Sequence, residues 1–132
     1  MKKLLLPLAL IFALSPAASA CSVKAGYVAK GLIATPAGMR QECGMLYRTF
    51  SRPALNQGSA KWVELYEVSA SGIGPAGKKI QSALERAGFV QVMSKDVEGG
   101  YQFGFGNTKT KKIVMLQIMT INDTMFLGIL GN

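Results

Sequence analysis

The segment Lys112–Ile121 (KIVMLQIMTI) constrains the fold of this chain more than any other. As a strand it is apolar on both faces, because successive side chains alternate. Val114, Leu116 and Ile118 take one side, and Ile113, Met115, Met119 and Ile121 the other. A strand buried on both sides belongs inside a sheet, with something covering each face.

The flanking segments supply the rest of that sheet. Residues 61–68 (KWVELYEV) are rich in aromatic and β-branched residues and predict a strand. Strands are also predicted over 89–96, 101–106 and 124–130, separated by the short turns Glu98-Gly99-Gly100, Asn107–Thr110 and Asn122-Asp123. Turns this short force antiparallel neighbours.

One helix is well defined. Ala76, Ile80, Ala83, Leu84 and Ala87 form a single apolar stripe over 75–87, with Pro75 at the first helical position and Gly88 as the stop. Residues 21–58 are punctuated by glycine and proline and form an irregular N-terminal section, with a short strand over 27–33 and a helix over 39–50 stopped by Pro53. The expectation is a single α+β domain: a β-α-β-β-β-β antiparallel sheet over 59–132, with one main helix on one face. One helix cannot cover both faces. The second face needs the N-terminal section, a second protomer or a ligand.

Residues 1–20 have the three parts of an export signal. Lys2 and Lys3 give a positive start, Leu4–Leu14 an apolar run, and Ala18-Ser19-Ala20 small residues for cleavage. The apolar run is too short to span a bilayer, which takes about 20 residues. Cleavage leaves 112 of the 132 residues and lowers the net charge from +8 to +6.

Cys21 then stands at the new N-terminus. In one reading it pairs with Cys43, the only other cysteine, in an oxidising compartment. Such a bridge closes a loop of about 23 residues, worth about 3 kcal/mol in the chain-entropy picture. In the other, Ala18–Cys21 is a lipobox and Cys21 carries lipid. Ala18 stands where a lipobox usually has Leu, and lipidation would strand Cys43. The disulfide is the preferred expectation.

The chain has no histidine. That removes Ser-His-Asp, Cys-His and His-ligated metal sites together. The seven carboxylates are scattered. Glu64 and Glu67 fall on opposite strand faces, and Asp96, Glu98 and Asp123 sit in or beside turns. No catalytic residue, cofactor or metal ligand set is expected.

Gly72-Ile73-Gly74-Pro75-Ala76-Gly77 is a literal G-x-G-x-x-G between a strand and a helix, with Asp96 following at 24 residues. That is the context of a dinucleotide fingerprint. A dinucleotide fold needs a parallel sheet, however, and the rest of this chain is hairpins. What survives is a weak anion site at a helix start: Gly74, Gly77 and Lys78.

Tyr101, Phe103 and Phe105 share one strand face, as core beneath the helix rather than as a platform for bases. The basic residues are dispersed, so nucleic acid is not an expected partner. The methionines suggest core filling or an adaptable groove rather than a copper site.

The resulting expectation is an exported small protein of a bacterial envelope, periplasmic or extracellular, with a non-enzymatic binding or assembly role. The candidate surface is Met93, Met115, Met119 and Ile121, rimmed by Lys109, Lys111 and Lys112. Its partner would be a protein or envelope component, or a second copy. The alternatives are a lipoprotein anchored to a membrane through Cys21, and a small hydrolase or anion-binding protein.

Overall fold

The computed structural model describes residues 24–132. Residues 1–20, with the export signal, and Cys21 lie outside them. The described elements are β1 (Tyr27–Val28), β2 (Ile33–Ala34), β3 (Met39–Gln41), α1 (Met45–Asn56) and β4 (Trp62–Val68). They continue with α2 (Ile73–Arg86), β5 (Val90–Val97), β6 (Gly100–Asn107), β7 (Lys112–Ile121) and β8 (Thr124–Gly131). The fold is α+β, with a six-stranded antiparallel sheet in the order β3-β4-β8-β7-β6-β5 and a small β1-β2 hairpin. β7 lies inside the sheet between β8 and β6, as its two apolar faces require.

α2 covers one face. Its Ile80 and Leu84 join a core with Trp62, Tyr66, Phe105, Leu116, Leu127 and Ile129. The helix ends in a paired cap that satisfies its last carbonyls: Phe89 N–H donates to the Leu84 carbonyl at 2.9 Å and Gly88 N–H to Glu85 at 3.0 Å. Gly88 takes φ +96°, which glycine adopts without strain. Asn107 holds this end in place. Its side-chain amide donates to the Ala87 carbonyl, and its Oδ1 accepts the N–H groups of Lys109 and Thr110.

α1 crosses the opposite face. The Tyr47 hydroxyl donates to the Val63 carbonyl at 3.3 Å. The Phe50 ring lies directly over Gly128 of β8, in space that a Cβ there would occupy. The N-terminal section therefore supplies the second cover, but only over β4 and β8.

Three local expectations change. The helix expected over 39–50 begins only after Gly44, because Met39–Gln41 pairs with Tyr66–Val68 as the edge strand β3. It then runs through Pro53. That proline removes one backbone bond near the end of the helix, a cost of about 3 kcal/mol in a helix interior. The end is nonetheless secured: Gln57 N–H donates to the Pro53 carbonyl, and Ala60 N–H and Ser59 Oγ both donate to Ala54.

The strand expected over 27–33 is instead the β1-β2 hairpin, turned by Ala29, Lys30 and Gly31 at φ +56°, +61° and +85°. α2 starts at Ile73, two residues before Pro75. Gly72 can precede it because the chain approaches Gly38 closely there: a Cβ would lie 3.5 Å from the Gly38 Cα and 2.7 Å from Ser69 Oγ. Neither helix is long and apolar enough to cross a membrane.

Candidate functional site

The face of β5–β7 that α1 leaves uncovered is built by one irregularity. Gln91 pairs with Phe105, but Met93 pairs with Gly104, so Val92 is an extra residue in β5. Such a bulge turns adjacent side chains to the same side. Val92 and Met93 accordingly both lie over β6 on the α1 side: Val92 beside Gly104 and Gly106, and Met93 over Gly104. These two glycines have no side chains to hold their neighbours off the sheet.

The result is a flat apolar patch. Val90, Val92 and Ile113 are 55%, 64% and 52% exposed, with Met93 and Met115 half-buried between them. Large β-branched side chains this exposed, and contiguous, mark a contact surface more often than three scattered ones would. β5 is also a sheet edge, since its outer side pairs with no strand among the described residues. The bulge and Lys95 restrain that edge from indiscriminate pairing.

The expected surface residues separate along this face. Met93 and Met115 flank Gly104 and belong to the patch. Met119 and Ile121 share the face but lie further along β7, where Met119 pairs with Gly100 and Phe126 and Ile121 with Thr124. Lys109 and Lys111 sit on the β6-β7 turn beside Ile113. Lys112 falls on the α2 side, with Val114. Lys95, two residues from Met93, adds a positive charge on the patch side. Gly104 and Gly106 are sequence signs of a bulge or a close approach, but nothing near position 92 says that the extra residue falls there on the neighbouring strand, so Val90 and Val92 were missed.

The G-x-G-x-x-G segment is committed to structure. Gly72 N–H donates to Ser69 Oγ at 3.0 Å, Ile73 N–H to the Ser69 carbonyl and Ala76 N–H to Gly72. Pro75 has no N–H, so the first turn retains at most the Gly74 donor for an anion. Gly74, Gly77 and Lys78 instead line one side of a cavity of about 280 Å³ whose other wall is Phe103, Ile118 and Leu127. The three aromatics of β6 divide: Phe105 is core, Phe103 half-buried, and Tyr101 is 53% exposed.

Glu64 is fully buried at the centre of the α2 face. Its Oε1 accepts the Ala29 N–H at 2.8 Å and lies 3.0 Å from the Tyr66 hydroxyl, and its Oε2 accepts the Lys30 N–H at 2.9 Å. Consecutive left-handed residues present their N–H groups as an anion-binding concavity, and here the chain's own carboxylate fills it. Burial raises the Glu64 pKa, opposed by the Lys30 and Ala29 N–H groups and by Tyr66. Burial and the neighbouring Glu64 charge raise that of Tyr66. Fully buried and facing three donors, this carboxylate pins the Ala29–Lys30 turn to β4.

Glu67, on the opposite strand face as expected, pairs with Arg40 at the surface. Cys43, between β3 and α1, is not a free thiol. Compared with known proteins, the chain matches no family model, no curated protein and no solved structure.

Proposed function

We propose that this chain is an exported, non-enzymatic binding or assembly protein of a bacterial envelope, and that the patch formed by Val90, Val92, Met93, Ile113 and Met115 is its contact surface. The observation that carries the reading is the Val92 bulge, which gathers exposed apolar side chains over two glycines. Export is supported by the pattern of residues 1–20. The engaged state of Cys43 supports a Cys21–Cys43 bridge over a lipid anchor and argues against a cysteine nucleophile.

Charge selects the kind of partner. Lys95, Lys109 and Lys111 fringe the patch, so it suits an apolar protein segment flanked by acidic residues. A twofold contact between copies would bring these lysines toward one another, which disfavours self-association.

Photo-cross-linking from Val92 in the cells that make the protein tests this reading. The expected result is one adduct whose mass is not a multiple of the chain's own. Its cross-linked segment carries acidic residues, and Lys95→Glu weakens it. A homodimer, an equal adduct from a control site at Lys79, or no adduct would overturn it. Mass spectrometry of the mature N-terminus tests the accompanying claim: a diacylglyceryl group on Cys21 would replace the bridge by an anchor.

A further inference from the structure

A second cavity, of about 360 Å³, lies mainly on the α2 side of the sheet and shares Ile113 with the patch, where the Ala29–Leu32 turn, the C-terminal end of α2 and the start of β7 meet. Its volume is at the small end of the range for ligand sites, about 300–1,000 Å³. The walls are apolar: Trp62 from β4, Leu84 from α2, Leu32 from the turn, Phe89 and Val114. Two cations, Lys30 and Lys112, and the polar Asn132 line it; the Glu64 carboxylate lies behind the rim, engaged by the Ala29 and Lys30 N–H groups.

The surrounding charge reinforces this. Strand register places Lys61, Lys109 and Lys111 at the same end of the sheet, because Trp62 pairs with Gly131, Gly131 with Val114 and Asn107 with Lys112. The acidic turn residues Glu98 and Asp123 lie at the other end, where Gly100 pairs with Met119 and Ile121 with Thr124. A concave apolar site at the positive end of a small protein concentrates anions.

The cavity is also held open by construction. Ala29, Lys30 and Gly31 form its rim in the left-handed conformation, fixed from beneath by Glu64. The β7 side is fixed by Asn132, whose Oδ1 accepts the Ile113 N–H at 2.7 Å. Neither wall has to be organised by a ligand.

We infer that this cavity binds a small amphipathic carboxylate, its apolar body against Trp62 and Leu84 and its anionic head toward Lys30 and Lys112. An apolar ligand without charge would leave the two lysines unused. A cation would meet them directly.

Trp62 is the chain's sole tryptophan and lines the cavity, so its fluorescence reports occupancy. The test titrates the folded protein with decanoate, decanol and decyltrimethylammonium below their micelle concentrations, with calorimetry as a second readout. Saturable binding of decanoate is expected, weaker binding of decanol, and none of the cation. The double variant Lys30→Asn, Lys112→Gln should weaken decanoate at least about tenfold and leave decanol unchanged, since a charge-assisted bond is worth more than one such factor. Asparagine is chosen at position 30 because it tolerates the left-handed conformation there. Circular dichroism checks that the variant is folded. Equal binding of all three probes, no saturable binding of decanoate, or an unaltered decanoate affinity in the folded double variant would overturn the inference.

Discussion

The carboxylate of Glu64 accepts the backbone N–H of Ala29 at 2.8 Å across a separation of 35 residues. Through this bond and its neighbour from Lys30, one buried side chain of β4 ties the N-terminal hairpin onto the sheet. Val28 and Ala29 consequently become part of the same core as Ile80 and Leu84. A segment with little regular structure of its own is thereby ordered by a polar group it could not have supplied.

Replacing that carboxylate should loosen the hairpin first. Glu64→Gln keeps the shape but turns an amide donor toward backbone donors, so at least one of the Ala29 and Lys30 N–H groups loses its acceptor. The expected cost is about 1–3 kcal/mol. Urea denaturation measures it, and hydrogen exchange at Ala29 and Lys30 should accelerate more than exchange in β7.

Acidification should favour the wild type over that variant. The folded pKa of Glu64 is raised above its unfolded value, with burial as the largest cause. Between the two values the folded state binds more protons, so stability from this group is fully present below the unfolded pKa and is lost as pH rises through the folded one. The difference in urea midpoint between wild type and Glu64→Gln should widen as pH falls from neutrality toward the ordinary glutamate range. A difference that narrows would mean the three hydrogen bonds outweigh burial.

Gly128 should not accept a side chain. A Cβ there runs into the Phe50 ring, and overpacking of this kind costs about 1–3 kcal/mol. Gly128→Ala lowers the thermal midpoint, and Phe50→Leu in the same chain should recover part of the loss. A double-mutant cycle measures that coupling.

The glycines of the G-x-G-x-x-G segment should behave unequally. A Cβ at Gly74 or Gly77 meets nothing within 4 Å, and neither has a positive φ. Gly77→Ala should therefore stabilise α2 by about 0.5–1 kcal/mol. Gly72→Ala should destabilise, because its Cβ would crowd Ser69 Oγ and Gly38. Thermal melts of the two variants distinguish this pattern from a phosphate-binding loop, which would need all three glycines.

The contact patch should be separable from the fold. Val92→Lys removes an exposed apolar side chain from an edge strand and should change stability by no more than about 0.5 kcal/mol. The same variant should abolish a cross-link formed from Ile113. Urea melts and the cross-linking yield together check both halves.

Sequence alone determined the hairpins of β5–β8, the central place of β7 and the apolar stripe of α2. Those signals are local: turn residues fix the connection, alternation fixes the face, and helical spacing fixes the stripe. The same alternation put Ile113, Met115, Met119 and Ile121 on one face of β7. The helix over 39–50 was misplaced because Met39 owes its strand to hydrogen bonds with Val68, which nothing near position 39 reveals.

Only the tertiary structure decided the rest. It put α1 over β4 and β8 rather than over the methionines, because Gly128 admits Phe50. It opened the patch by a one-residue bulge, whose register depends on the partner strand. It buried Glu64 beneath Ala29 and Lys30, and it brought Trp62, Leu84 and Lys112 from three elements around one cavity. Periodicity along a chain states which side a residue faces. What stands on that side is set by contacts between distant segments.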